Sequence, residues 1–216
     1  MRTRLVPGLL LVPLLVAACS HRSPAPSRAP LLREALRAEV PPIRFGEAPV
    51  GDILDFLHRV AGLSQVIRDP GVVGKRVDLA TGEATAAEVL AALAGKLGVA
   101  QGVVRGAVFL GPPERLAALR ALPPIAYGKG APGLGFTLAI EYHDCDMALI
   151  SVAESFTAHT GIPVAVDPRV VEHGQGEYGI HLGPMAAADF LWWVGVLWEV
   201  QVAADRDGVR FAPRPG

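Results

Sequence analysis

What most limits this chain is that it repeats itself: the same order of strand, helix and turn signals runs through it twice, and such a repeat constrains architecture more than any single residue does. In the first pass Ile43-Arg44-Phe45 alternates as a strand does, and Pro49-Val50-Gly51-Asp52 leads into a helical pattern with apolar residues at Val50, Ile53, Leu54, Leu57 and Ala61. Gly62 ends that helix. Ser64-Gln65-Val66-Ile67 reads as a short strand stopped by Asp69-Pro70, and Lys75 to Leu79 as another. Thr85-Ala86-Ala87-Glu88 has the form of a capping box, opening a helix with Val89, Leu90, Leu93 and Leu97 on one face and Gly98 at its end. Val99 to Leu110, turning at Arg105-Gly106, closes the unit as a hairpin.

The second pass runs in the same order. Leu138-Ala139-Ile140 and Tyr142 supply the strand, then comes a helix carrying Leu149, Val152, Ala153 and Phe156 and ended by Gly161. Val164 to Pro168 matches Val66 to Pro70, Tyr178 to Leu182 matches the strand around Val77, and Ala187, Phe190, Leu191, Val194 and Trp198 match the second helix. Val200 to Val202, the turn Asp207-Gly208 and Val209 to Phe211 make the closing hairpin. The expected fold class is therefore α+β: two tandem small β-α-β-β-α-β-β modules, over 42–111 and 135–213, each with two helices packed on a small mixed sheet. Residues 112–134 read as a linker with a short helix from Glu114 to Leu122, which leaves room for hinge motion between the copies. With half of its 216 residues apolar the chain has enough material for such cores, and 20 Lys plus Arg against 21 Asp plus Glu gather into no basic block that would track a phosphate backbone, so nucleic acid is not an expected partner.

The order of strand, helix ending in Gly-Leu or Gly-Ile, strand ending in Asp-Pro, strand, helix and terminal hairpin resembles the short N-terminal domain of secretins and TonB-dependent receptors. Phe45, Val50, Ile53-Leu54, Leu57, Ala61-Gly62-Leu63, Asp69-Pro70, Val89-Leu90, Leu93, Leu97-Gly98 and the hairpin to Leu110 carry the likeness. The second copy is more divergent: its loop from Tyr142 to Leu149 is longer by two residues than that from Phe45 to Val50, and Trp192-Trp193 stands where the first copy has Ala91-Ala92. Every matched position is a packing or turn position, so the likeness speaks to fold more than to role. It implies a non-catalytic module that docks on an envelope partner, whether a secretin, a receptor or an inner-membrane protein. Neither a pore region nor a barrel follows the second copy, so the expected role is that of an accessory or adaptor protein, with ligand binding in the cleft between the modules as the alternative.

The N-terminus points to the same compartment. Arg2 and Arg4 precede an apolar run from Leu5 to Ala18 that ends in small residues, the layout of a secretory signal over 1–18. Leu15-Val16-Ala17-Ala18-Cys19 resembles a bacterial lipobox, which implies cleavage after Ala18 and lipidation of Cys19. Several acyl chains on one cysteine exceed what stable anchoring requires. Ser20 after the cysteine resembles the outer-membrane sorting pattern, so the expected location is the outer membrane, facing the periplasm. Pro and Ser recur from Ser20 to Pro30, and 19–41 reads as a lipidated, flexible tether.

No cofactor, metal site or catalytic residue is expected. His173-Gly174-Gln175-Gly176-Glu177-Tyr178-Gly179 has dinucleotide-fingerprint spacing but precedes a strand instead of a helix, so it reads as a loop. His143, Asp144, Cys145 and Asp146 are metal-ligand types crowded into four consecutive positions, and Asp146 reads more simply as a helix N-terminal residue. After processing Cys145 has no intrachain partner for a disulfide. His58, His159 and His181 fall on regular elements and read as satisfied surface or partly buried histidines. The informative departure is Phe190 to Trp198, apolar nearly all round the helix. One face packs on its own sheet. The other, with Trp192 and Trp193, needs a second surface, which makes both candidate interface residues beside the plainer reading that they fill the core or the seam between copies. Val209 and Phe211, on the terminal hairpin, are candidates for an edge open to strand addition.

Overall fold

The protein is seen in a computed structural model that describes residues 32–143, 148–170 and 178–214. Its elements are α1 (Leu32–Arg37), β1 (Glu39–Val40), β2 (Ile43–Pro49), α2 (Val50–Ala61), β3 (Val66–Arg68), β4 (Arg76–Thr81), β5 (Ala84–Thr85), α3 (Ala86–Leu97), β6 (Ala100–Val104) and β7 (Ala107–Gly111). There follow α4 (Pro113–Ala121), β8 (Ala126–Tyr127), β9 (Thr137–Leu138), β10 (Tyr142–His143), α5 (Leu149–Thr160), β11 (Val164–Val166), a 3-10 turn (Pro168–Val170), β12 (Gly179–Leu182), β13 (Met185–Ala186), α6 (Ala187–Leu197), β14 (Val200–Asp205) and β15 (Gly208–Pro213). The fold is α+β.

The local signals act where they stand. Val50, Ile53, Leu54, Leu57 and Ala61 are the buried stripe of α2, and Gly62 ends it at φ 68, a left-handed conformation that costs a glycine little. Thr85 and Glu88 close the capping box of α3: the Thr85 hydroxyl accepts from the Glu88 N–H at 3.3 Å, and the Glu88 carboxylate accepts from the Thr85 N–H at 2.7 Å. The Arg105-Gly106 turn has positive φ at both positions, 44 and 70, as a two-residue type I′ hairpin requires.

The second half reproduces the pairings of the first. β2–β4 and β10–β12 are antiparallel, β3–β7 and β11–β15 parallel, β6–β7 and β14–β15 antiparallel hairpins, and β1–β5 and β9–β13 short antiparallel ladders. Single hydrogen bonds recur as well: Asp69 N to Leu110 O and Asp167 N to Phe211 O are both 2.9 Å, as are Val108 N to Gln65 O and Val209 N to Pro163 O. Each Asp-Pro folds into a turn in which the aspartate accepts a backbone N–H two residues on, Asp69 from Gly71 and Asp167 from Arg169.

The halves share a sheet. β12 pairs antiparallel with β3, Gly179 opposite Arg68, Ile180 opposite Ile67 and His181 opposite Val66, which gives a five-stranded sheet in the order β10-β12-β3-β7-β6. The second sheet is β11-β15-β14-β8. Period-2 alternation then divides the shared strands between two cores: Val66, Val108 and Leu110 pack with α2 and α3, while Ile67, Ala107 and Phe109 pack with α5 and α6. The segment 112–134, read as a hinge-permitting linker, is also packed, with Leu116, Leu119, Ile125 and Leu134 buried in the second core. Likewise 32–41, read as the end of the tether, folds as α1 and β1 and buries Ala35 and Val40.

Two consequences are measurable. Phe109→Ala, made in the first half, removes a fully buried ring from the second core and should destabilise the protein by about 3–5 kcal/mol. In urea titrations the fluorescence of the three tryptophans, all in the second half, should shift with the far-ultraviolet circular dichroism as one transition; separate transitions would contradict a shared core. At Asp167, hydrogen bonds from the Arg169 side chain and then its N–H hold the carboxyl at about 2 against an ordinary 3.8. A depressed carboxyl stabilises the fold above its unfolded pKa, and that contribution fades as pH falls through about 2. Carbon-13 NMR should place the Asp167 midpoint there, and Arg169→Ala should raise it.

Candidate interaction surfaces

Every residue of α6 from Phe190 to Leu197 is buried, so this helix has no free apolar face. Trp193 is wholly inside and its Nε1 donates to the Arg105 carbonyl at 3.1 Å, while Trp192 Nε1 donates to the Pro123 carbonyl at 2.8 Å. The two indoles meet edge to face at 5.0 Å, and the Arg105 guanidinium lies 5.8 Å from the Trp192 ring centre. Both tryptophans thus clasp the β6–β7 turn of the first half. Of the two readings of Trp192 and Trp193, an external interface and a filled core or seam between the copies, the burial fits the second: the surface that covers them belongs to the chain itself. Asp189, in the first turn of α6, faces the same turn; burial pushes its carboxyl pKa up, and Arg105 pulls the other way.

The expected edge at Val209 and Phe211 is corrected. They lie on β15, which has β11 on one side and β14 on the other, and both are buried. The closing hairpin offers no edge at β15, because the chain that precedes it supplies a strand on each flank.

The open edges lie elsewhere. β6 ends the five-stranded sheet. Its Ala100, Gly102 and Val104 face α4, where a Cβ on Gly102 would stand 3.0 Å from Leu116 and 2.4 Å from the Arg120 guanidinium, so that a side chain there would have to push both aside. On the other face Val103 is half exposed and borders a hollow of about 360 Å³ walled by Leu32 and Leu36 of α1, Thr85 and Ala87, with Arg33 and Arg37 beside it. Because the type I′ turn makes Val104 and Ala107 a hydrogen-bonded pair, ladder alternation turns the backbone N–H and C=O of Gln101 and Val103 to the open side. Sequence reading missed this surface; the i, i+4 pairs Leu32/Leu36 and Arg33/Arg37 were its available signal. β11 forms the outer edge of the second sheet. A further hollow of about 400 Å³, mostly apolar, lies between Leu122–Ala126 and α6, with Arg214 at its rim donating to the Gly195 carbonyl at 2.7 Å.

The other singled-out residues scatter. His159 Nδ1 is 2.8 Å from the Ser155 carbonyl on α5, His58 lies on α2, and His181 is buried on β12 with its Nε2 3.7 Å from Asp55 of α2, a contact across the halves. Arg115 of α4 hydrogen-bonds the Tyr178 hydroxyl and lies 5.9 Å from its ring centre, which ties the connecting segment to the second half. Ala18 and Cys19, Asp144 to Asp146 with Cys145, and His173 to Glu177 lie outside the described residues; His143 contributes its backbone to β10. Among the described residues no three His, Cys, Asp or Glu gather as a metal site, and no helix is long and apolar enough to cross a membrane. No protein-family model, curated protein or solved structure matches the chain.

Proposed function

We propose that the protein is a non-catalytic adaptor of the bacterial envelope, anchored through a lipid on Cys19 at the outer membrane and built on a duplicated unit like the short N-terminal domain of secretins and TonB-dependent receptors. The observation that carries the interaction role is the open edge of β6. Its backbone groups at Gln101 and Val103, turned away from β7, the half-exposed Val103 and the flanking apolar hollow together suit an extended segment of another protein added as a sixth strand. Arg33 and Arg37 stand one helical turn apart on α1, roughly 6 Å between Cβ atoms, close to the roughly 7 Å between alternate residues of a strand. A segment with carboxylates at alternate positions therefore fits this edge better than a basic one.

A second reading is ligand binding. The packed joint between the halves moves its place from a central cleft to the hollow under Leu122–Ala126, where apolar walls and the Arg214 cation suit an apolar molecule with an anionic end.

The test is made in cells, with a photo-crosslinking benzoylphenylalanine in place of Val103 and, as a surface control, in place of Val60. The adaptor reading expects one envelope protein attached at Val103 and not at Val60, with Arg33→Glu, Arg37→Glu reducing the yield several-fold. It also expects incorporation of an alkyne-labelled palmitate that Cys19→Ser abolishes. Labelling unchanged in Cys19→Ser would remove the lipid anchor, and adducts that do not distinguish Val103 from Val60 would remove the docking edge.

A further inference from the structure

We propose that copies of this chain assemble head to tail through strand pairing between β4 of one copy and β11 of the next, repeating the pairing that joins its own two halves. Within the chain, β12 of the second half runs antiparallel to β3 of the first. The recurring ladders identify the counterparts: β4 pairs with β2 as β12 does with β10, and β11 pairs with β15 as β3 does with β7. The internal joint thus uses the second-half version of one edge and the first-half version of the other. What remains is the complementary pair. Among the described residues β4 has β2 as its one strand neighbour, and β11 has β15.

Burial separates the used edges from the unused ones. Val66, Ile67 and Arg68, lying beside β12, are all buried, whereas Val164 and Val166 of β11 are half-buried and Ala165 between them is exposed. Gly179 to Leu182 are all buried, whereas Arg76, Asp78 and Ala80 of β4 are exposed. A short apolar edge strand left partly wet is a surface that an added strand would cover.

The register carries over as well. β5 and β13 lead directly into α3 at Ala86 and α6 at Ala187, so Asp78, Leu79 and Ala80 correspond to Gly179, Ile180 and His181. Transferring the internal pairing sets Asp78 opposite Val166, Leu79 opposite Ala165 and Ala80 opposite Val164. One tight spot disappears in the transfer. Inside the chain a Cβ on Gly179 would stand 2.4 Å from the buried Arg68 guanidinium, so a side chain there would have to displace it. Between copies the short Val166 takes the place of Arg68, so Asp78 need not be glycine. The joint is heterologous, so every added copy leaves one β4 and one β11 free, and growth ends in a ring or continues as a filament.

The test uses the full chain, in detergent and in vesicles of phosphatidylethanolamine and phosphatidylglycerol. Opposed residues of an antiparallel ladder have Cα atoms roughly 4.5–5.5 Å apart, within disulfide reach. Under mild oxidation a mixture of Asp78→Cys and Val166→Cys chains should give a dimer that neither variant forms alone, and the double variant should give a ladder of higher species, with the unsubstituted chain setting the background from Cys145. In sedimentation velocity the unmodified chain should show species that grow with concentration and are lost in Ala165→Lys, which places a charge on the exposed edge position. Cross-linking of either single variant with itself as readily as with the other would replace this geometry with a symmetric one and overturn it. A chain that sediments as a monomer throughout and gives no mixed dimer overturns it outright.

Discussion

The structure depends on β3 and β7 being buried on both faces. A strand pair covered on one side presents alternate apolar and polar residues; here Val66-Ile67 and Ala107 to Leu110 have no polar residue to spare, and each successive side chain enters a different core. Neither half can therefore complete its packing without the other. Removing the second half would expose Ile67, Ala107 and Phe109, and removing the first would leave β12 without its longer neighbour and α6 without the turn that its tryptophans hold.

That dependence accounts for where the two halves differ. Ala91 and Ala92 of α3 correspond to Trp192 and Trp193 of α6, and the difference is the joint: the first copy's helix lies where small residues suffice, while the second must reach the Arg105-Gly106 turn and the Pro123 carbonyl. Each indole N–H, which would be costly to bury unpaired, finds a backbone carbonyl contributed by chain outside its own unit. His181 with Asp55 adds a polar contact at the same joint, and Gln65 Nε2 donates across it to the Pro184 carbonyl at 2.9 Å. Two halves bound this way share a sheet and bury strands in both cores, which leaves little room between them for a hinge or a central cleft.

Much of the architecture was legible in the residues because its signals are local. The helix stripes, the left-handed glycines at Gly62, Gly98 and Gly161, the capping box and the Asp-Pro turns are each decided within a few positions. The pairing of β12 with β3 was not legible, since nothing near Ile180 names Ile67 as its neighbour. A trace was present in the uninterrupted apolar run from Ala107 to Leu110, whose lack of alternation reports burial on both faces. The same logic applies to α6: apolar residues all round a helix report that it is enclosed, and the enclosing surface turned out to be the chain's own. Val209 and Phe211 misled for the opposite reason. A terminal hairpin is last in sequence, and the parallel pairing with β11 that makes β15 internal involves a strand on the far side of α6.

Interaction capacity then follows from which edges the joint consumes. Joining two like units edge to edge covers one edge on each and cannot cover the reciprocal pair, so a duplicated chain of this topology keeps exposed strands unless some other element caps them. At β6 part of the protection is visible: α4 covers one face, and Gly102 lets it lie close. At β8 the strand is two residues long and its partner β14 continues past it, so little ladder is offered. At β11 the helix α5 packs against one face, while Ala165 on the other is exposed. The strand's three residues are apolar, and the Asp167–Arg169 pair that follows it organises the turn rather than covering the strand. The edges differ in chemistry as well as in cover, with arginines beside β6 and an apolar strip at β11.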